Sequence, residues 1–269
     1  MDARPIGVFD SGLGGLTTVK KLAEFLPEEE IIYLGDTGRV PYGSRSKETI
    51  IKYARQDAAF LAGFDIKAMV IACNTVCSVA FDVLDEMYGI PVYEVISAPV
   101  KAAAKATKNG KVGVIGTSAT IRSGAYETAL KKTEPRLLVF SEPCPLFVPM
   151  AENGRTDDTD IAALTIADDY LSGLREYGID TLILGCTHYP LLRGVISRIM
   201  GPDVTLIDSG AETAALVAEE LCSREMLSHV GAEGTIKYFV TDSADGFAAL
   251  ASRFLESEVM GLVEEITLE

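Results

Sequence analysis

Two cysteines in this sequence lie where a thiol could transfer protons or attack a substrate. Cys73 and Cys186 each follow an apolar run that is typical of a buried strand, and each precedes a predicted helix. Residues 74–75 and 187–188, directly after them, supply amide, hydroxyl and imidazole groups. Hydrogen-bond donors and a helix N-terminus favour the thiolate, which is the reactive form of cysteine. A single buried cysteine at the end of a strand can equally be a packing residue.

An internal repeat puts these two cysteines at equivalent positions. Three apolar runs of the first half recur in the same order in the second half: 6–11 matches 112–117, 31–36 matches 137–142, and 68–75 matches 181–188. The third match aligns Cys73 with Cys186. Ordered self-similarity of this kind predicts two related halves, and it favours a chemical role for both thiols over two unrelated packing roles.

The apolar runs alternate with amphipathic stretches, as expected for parallel sheets covered by helices. The predicted fold class is α/β: two similar α/β domains, each with a mostly parallel sheet flanked by helices, related by a pseudo-twofold duplication. We expect residues 1–97 and 208–269 to form the first domain and residues 98–207 the second. Because open α/β sheets bind ligands at the carboxyl ends of their strands, the active site is expected in the cleft between the domains.

One thiol on each wall of such a cleft could invert a stereocentre. One thiolate would remove a proton from a carbon while the other thiol delivered a proton to the opposite face. The α-proton of an amino acid is only weakly acidic, so the site would have to bind the carboxylate tightly and stabilise the carbanion with oriented dipoles. This chemistry requires no cofactor.

The composition excludes several other classes of function. There are 24 Lys and Arg against 39 Asp and Glu, and the formal charge of -15 repels nucleic acids and anionic membranes. An odd number of cysteines, five, argues against a secreted disulfide framework. The sequence has no long apolar leader and no apolar stretch long enough to span a membrane, so we expect a cytoplasmic protein.

Four segments resemble the signature blocks of the glutamate racemase family. They are residues 7–16 (GVFDSGLGGL), 35–43 (GDTGRVPYG), 72–75 (ACNT) and 184–192 (LGCTHYPLL). The blocks follow the order of that family, their spacing fits, and they extend over most of the chain.

The resemblance implies a cofactor-independent enzyme without a metal that interconverts L- and D-glutamate and supplies D-glutamate for peptidoglycan. It also implies a homodimer. Cys73 and Cys186 match the two catalytic thiols of the family, Cys73 acting on D-glutamate and Cys186 on L-glutamate. Asp10 and His188 match the residues that assist proton transfer at the two thiols, and Glu152 matches a further acidic residue of the active site.

The substrate contacts implied by the resemblance lie in the same blocks. They are Asp10, Ser11, Pro41, Tyr42, Gly43, Asn74, Thr75, Thr187 and His188. Among the blocks that should line the cleft, basic residues are limited to Arg39. We therefore expect backbone N–H groups at helix N-termini, together with hydroxyl and amide side chains, to bind the carboxylates of the substrate.

Three alternative functions stay open. An aspartate racemase would use the same two thiols, although family members of that kind tend to have Glu at the position of His188. A cysteine hydrolase would use one thiol as nucleophile and His188 as base, which leaves the second thiol unexplained. A non-catalytic amino-acid binding module would tolerate replacement of either cysteine. Nucleotide binding is disfavoured because position 17, where the dinucleotide motif needs glycine, is Thr17.

The remaining features are interpreted as structural. Cys77 could join Cys73 and His188 in a metal site, but the spacing favours packing. Cys144 and Cys222 are predicted to be packing residues. The run 28–30 (EEE) is predicted to be a solvated turn, and the acidic segment 264–269 a frayed tail or a helix end.

Overall fold

Two separate parallel β-sheets organise the chain, which the computed structural model describes at residues 2–229, 231–257, 259 and 263–268. The predicted first domain also includes residues 1, 230, 258, 260–262 and 269, which lie outside the described residues. Within the described part of the chain, no helix has the length and apolarity needed to cross a membrane.

The first sheet contains strands from both ends of the chain, in the order β10-β9-β2-β1-β3-β4. Its strands are β1 (Ile6–Asp10), β2 (Ile31–Gly35), β3 (Ala68–Ile71), β4 (Val92–Glu94), β9 (Ile236–Val240) and β10 (Val263–Glu265). The helices that precede or follow these strands are α1 (Leu16–Phe25), α2 (Lys47–Ala62), α3 (Asn74–Asp85), α4 (Ser97–Ala106), α10 (Ser209–Ser223) and α11 (Ala244–Leu255). The chain after Asp208 therefore returns to the first sheet.

The second sheet is formed by a continuous stretch of chain, in the order β6-β5-β7-β8. Its strands are β5 (Lys111–Gly116), β6 (Leu138–Pro143), β7 (Thr181–Gly185) and β8 (Thr205–Asp208). Its helices are α5 (Ser118–Ser123), α6 (Ala125–Thr133), α7 (Phe147–Glu152), α8 (Ile161–Glu176) and α9 (Arg193–Met200). The two sheets confirm the predicted fold class. The division into domains at residues 97 and 207 stays a prediction.

The strand order reproduces the internal repeat. The order β2-β1-β3-β4 of the first sheet recurs as β6-β5-β7-β8 in the second, and all pairs are parallel. Ile6 pairs with Ile31, whereas the equivalent Val112 pairs with Val139. The predicted match of Ile31 to Leu137 is therefore wrong by two residues. Such a shift keeps every side chain on the same face of the strand, so the apolar pattern does not reveal it.

Matching glycines explain how the repeat packs at the centre of each sheet. Gly7 on β1 faces Ile66, whose Cδ1 would lie 2.8 Å from a Cβ at that position. Gly113, at the equivalent place on β5, faces Ile179 in the same way and has no space for a side chain. Strands β1 and β7 are buried along their whole length, and residues 6–9 and 182–185 of these central strands have no polar side chain.

Several local predictions are wrong. Part of the acidic tail is strand β10, in which Val263 pairs with Tyr238 of β9. Helix α3 begins at Asn74, with Cys73 as its N-cap residue, so this cysteine directly adjoins the helix. The segment 28–30 is not fully solvated, since the Glu29 carboxylate is buried against the Lys67 ammonium at 2.5 Å.

Two cysteines outside the repeat have different surroundings. Cys144 is fully buried, in agreement with the packing role that the sequence predicts. Cys222 lies on α10 but is exposed, so the expectation that it packs is wrong. Its thiol points to the solvent side of an amphipathic helix.

Candidate active site

A cavity of about 610 Å³ lies between the two halves, at the carboxyl ends of their central strands. Most of the predicted site residues line it: Ser11, Pro41, Tyr42, Gly43, Cys73, Asn74, Thr75, Glu152, Cys186, Thr187 and His188. Asp10 does not line the cavity; its side chain is buried beside it, with 1% of its surface exposed. The structure therefore brings the predicted residues together from both halves of the chain.

Cys73 reaches the cavity from the end of β3. It is the N-cap residue of α3, and its Sγ donates to Oγ of Ser11 at 3.3 Å. Burial, together with the nearby charge of Asp10, raises the pKa of Cys73 to about 12, although hydrogen bonds from Ser11 and the Val76 N–H act in the opposite direction. The Cys73 thiol is therefore protonated at neutral pH and can act as a proton donor.

Asp10, the last residue of β1, is a buried carboxyl beside Cys73. Its Oδ2 accepts the backbone N–H of Gly12 at 2.9 Å, and its Oδ1 has no hydrogen-bond partner among the described residues. Burial raises its pKa, while the charge of His188 and backbone N–H groups, that of Gly15 among them, lower it. A carboxyl with one unused oxygen and a raised pKa can exchange a proton or bind a cationic group.

Cys186 reaches the cavity from the end of β7 and is accompanied by an imidazole. His188 Nδ1 lies 3.9 Å from Cys186 Sγ, and its Nε2 lies 3.1 Å from Oε1 of Glu152 on α7. Burial lowers the pKa of His188, but hydrogen bonds with Cys186 and Glu152 and the charges of Cys186 and Asp10 outweigh it and raise the pKa to about 10. The imidazole is therefore protonated at neutral pH and can donate to the sulfur.

Hydroxyl groups from both halves form a chain across the floor of the cavity. Thr75 Oγ1 lies 3.0 Å from Thr117 Oγ1, which in turn lies 3.0 Å from Thr120 Oγ1 on α5. The Asn74 amide donates to the Tyr126 hydroxyl at 2.7 Å, and its Oδ1 has no partner in the described structure. Sequence reasoning missed Thr117, although the repeat puts it at the position equivalent to Ser11.

Arg39 is the basic residue that the sequence places in the cleft blocks, but the structure turns it away from the cavity. Its guanidinium binds Asp36 at 2.6 Å and Asp57 at 2.8 Å, and it stacks on the Tyr53 ring. The Tyr42 hydroxyl also binds both of these carboxylates. Arg39 thus holds the loop that carries the predicted contacts Pro41, Tyr42 and Gly43.

A different basic residue lines the cavity. Arg122, near the end of α5, contributes to the lining and is exposed. Sequence reasoning missed it because it lies outside all four signature blocks. Its position on the same short helix as Ser118, which also lines the cavity, would have been the available signal, but only once α5 was placed at the cleft.

The metal site considered from the sequence is not assembled. The Cys77 thiol donates to the backbone carbonyl of Ile71 at 3.2 Å, inside the protein. Among the described residues, no group of three or more His, Cys, Asp or Glu side chains is arranged to hold a metal ion. Cys77 is therefore a buried packing residue, and the structure does not bring it together with Cys73 and His188 as a set of ligands.

Two parallel sheets with a thiol from each half at one cavity agree with the racemase resemblance of the sequence. The family model described as Asp/Glu/Hydantoin racemase matches residues 7–217, and the chain belongs to this family. The resemblance to glutamate racemases in its four sequence blocks is confirmed.

Individual relatives are similar over their full length. The glutamate racemase of Geobacter metallireducens is 49% identical over 100% of this chain and 98% of its own. The solved structure of the glutamate racemase of Francisella tularensis in complex with D-glutamate is 41% identical, has a TM-score of 0.92, and is matched over 100% of this chain and 99% of that one. A Bacillus anthracis glutamate racemase isoform is 39% identical, with a TM-score of 0.93 over 99% and 98% of the two chains.

Proposed function

We propose that this protein is a glutamate racemase that interconverts L- and D-glutamate by two-base proton transfer between Cys73 and Cys186. One observation carries the proposal: both thiols line a single cavity, each from the equivalent strand end of a repeated half. Support for glutamate as the substrate comes from the full-length relatives, which are named glutamate racemases, and from the similar structure solved with D-glutamate.

In the direction from L- to D-glutamate, the Cys186 thiolate takes the α-proton. The protonated imidazole of His188, with Glu152 behind it, stabilises that thiolate through the 3.9 Å contact. The Cys73 thiol, whose pKa is raised to about 12, gives its proton to the opposite face of the carbanion. After one turnover Cys186 is protonated and Cys73 is a thiolate, so the resting form returns by proton exchange with water or by conversion of a D-glutamate.

The carbanion and the two carboxylates need donors that do not titrate. Helix α3 begins at the cavity with Asn74, and Thr75 and Thr117 line it, so the N–H groups of this first turn and the two hydroxyls can bind an anion there. Asn74 lines the cavity, and its Oδ1, which has no partner among the described residues, can accept from the substrate ammonium group. Arg122 adds a cation to a protein whose formal charge is -15.

A second candidate is favoured by one specific observation. Cys186, His188 and Glu152 are aligned as a nucleophile, a base and an orienting acid, the arrangement of a cysteine hydrolase. That function gives no role to Cys73, whereas racemisation uses both thiols. We therefore place racemisation first and hydrolysis second.

The wider biological role rests on the resemblance. We propose that the enzyme works in the cytoplasm as a homodimer without cofactor and supplies D-glutamate for peptidoglycan. Aspartate racemisation stays the alternative within the same chemistry, since the thiols would serve either substrate.

The test is proton NMR of the purified protein in deuterated water with L-glutamate and, separately, D-glutamate. Loss of the α-proton signal together with loss of optical activity, without added pyridoxal phosphate or metal, is the expected result. Exchange with aspartate but not glutamate would contradict the proposed substrate and keep the mechanism. Absence of exchange with either amino acid would contradict racemisation and favour the hydrolase.

A further inference from the structure

Helix α11, which packs on the first sheet, reaches across the cleft to the residues around Cys186. The Phe254 ring makes a T-shaped contact with the His188 imidazole, with ring centroids 5.4 Å apart and an interplanar angle of 89°. The adjacent Arg253 donates from Nη1 to the backbone carbonyl of Glu152 at 3.1 Å. Two successive residues of one helix thus contact both partners in the hydrogen-bonded pair behind Cys186.

The turn that carries His188 is also held by the start of α1. Thr17 Oγ1 donates to the Thr187 carbonyl at 2.9 Å. At Gly14 there is no room for a side chain, because a Cβ there would lie 2.5 Å from Nδ1 of His188. Elements of the first half therefore approach the imidazole at Gly14 and at Phe254.

These contacts restrict a motion that hydrogen bonds alone would leave free. The imidazole is bound at its two nitrogens, Nδ1 towards Cys186 and Nε2 towards Glu152. A ring held at two points can still tilt about the line that joins them. An aromatic ring packed perpendicular to it, in a position that is only 1% exposed, blocks that tilt.

We propose that Phe254 is a positioning residue that fixes the His188 imidazole relative to the Cys186 thiol, so that the C-terminal helix of the first half controls proton transfer on the opposite wall. The inference rests on the proposed racemase function. Phe254 does not line the cavity and acts only through His188. Arg253 supports the same arrangement from the Glu152 side.

The inference predicts an effect on one of the two proton-transfer steps. Because the two enantiomers have equal free energies in water, any variant must change kcat/KM by the same factor in both directions. Rates alone therefore cannot show which thiol is affected. Primary isotope effects can, since α-deuterated L-glutamate reports proton removal by Cys186 and α-deuterated D-glutamate reports removal by Cys73.

The main variant is Phe254→Leu, and Phe247→Leu is its matched control. Phe247 lies on the same helix and in the same apolar core, 2% exposed, but contacts Tyr33 and Tyr238 instead of His188. We expect Phe254→Leu to lower kcat/KM about tenfold in both directions. The isotope effect from L-glutamate should rise relative to that from D-glutamate, and the control should keep the wild-type ratio.

The outcomes separate the inference from the function on which it rests. If the wild type does not racemise glutamate, the proposed function fails. If the wild type is active and Phe254→Leu lowers the rates without changing the ratio of isotope effects, Phe254 is only a packing residue and the inference is overturned.

A surface variant covers the case in which Phe254→Leu does not fold. Arg253→Gln removes the bond to the Glu152 carbonyl at an exposed position, and we expect it to shift the isotope-effect ratio in the same direction, with a loss of about threefold in kcat/KM. Lys20→Gln is its control, because it removes the 2.6 Å ion pair to Glu256, just beyond α11, without touching Glu152 or His188. An unchanged ratio in Arg253→Gln, with wild-type exchange intact, would also count against the inference.

Discussion

The two thiols occupy equivalent strand ends, yet their neighbours differ in kind. Cys73 lies beside a hydroxyl and a buried carboxyl, Ser11 and Asp10, and its pKa is raised to about 12. Cys186 lies beside an imidazole that is itself bound to a carboxylate, and that imidazole is protonated at neutral pH. The first pair of neighbours keeps a proton on sulfur, and the second can stabilise a thiolate.

The repeat explains where this difference comes from. Asp10 at the end of β1 has Gly116 as its equivalent at the end of β5, and Thr75 has His188 as its equivalent. The acid on the Cys186 side, Glu152, comes instead from α7. The duplicated sheets thus fix the positions of the thiols, while unequal substitutions around them give the two thiols different neighbours.

Removing either thiol should give the largest effect and should separate the two sides. We expect Cys73→Ala and Cys186→Ala each to lower racemisation about 10³-fold or more, because each removes one of two proton-transfer groups. In deuterated water, Cys73→Ala should still exchange the α-proton of L-glutamate, and Cys186→Ala that of D-glutamate. Exchange of both enantiomers by a single variant would show that the two sides are not distinct.

Removing the carboxyl beside Cys73, that of Asp10, should have the second-largest effect on the rate. We expect Asp10→Asn to lower kcat about 10²-fold, since the buried carboxyl is the titratable group nearest that thiol on its own side. Steady-state rates by circular dichroism, with folding checked by thermal unfolding, would measure this. A variant with wild-type kcat and a raised KM alone would assign Asp10 to substrate binding.

Replacing Glu152, the acid on the Cys186 side, should change the pH dependence of the activity. Glu152 is among the groups that raise the pKa of His188 to about 10, so the imidazole keeps its proton until the pH rises through that value. We expect Glu152→Gln to lower kcat about tenfold near neutral pH and to move the alkaline loss of activity to lower pH. An alkaline limb that stays in place in Glu152→Gln would remove His188 from the mechanism.

The cation at the cleft should have a smaller effect. We expect Arg122→Gln to lower kcat/KM several-fold at low ionic strength, because an acidic protein repels an anionic substrate, and to lose much of this difference at about 0.1 M salt, where charges are screened over about 10 Å. Arg136→Gln, an exposed change just before β6 at the opposite end of the sheet, is the control. An equal loss at all salt concentrations would indicate direct contact with substrate instead of steering.

The third thiol near the site should have the smallest effect. We expect Cys77→Ala to leave both exchange reactions unchanged and to lower the free energy of unfolding by about 1 kcal/mol, because it removes one buried hydrogen bond to Ile71. Denaturant unfolding and the NMR exchange assay would check this. A large loss of exchange would mean that Cys77, and not position 73 alone, takes part in proton transfer.

The sequence predicts the site where a strand and the site residues it positions are adjacent in the chain. The central strands are continuous apolar runs, and the site residues follow them directly, so the positions of Cys73 and Cys186 could be predicted together with the cleft. Arg122 and Phe254 could not, because each lies on an amphipathic helix whose partner is distant in sequence. Likewise, the burial of Glu29 depends on Lys67, and the strand character of residues 263–265 depends on β9.

The connectivity of the two sheets has a consequence for synthesis of the protein. Strands β5 to β8 are contiguous in the chain and can pair as soon as they have emerged from the ribosome, whereas β2 must wait for β9, with Ile31 paired to Ile236. Helix α11 is made later still, and it carries the ring that packs on His188. A nascent chain can therefore contain both cysteines and a folded second sheet while it still lacks the final contact of its proton-transfer machinery.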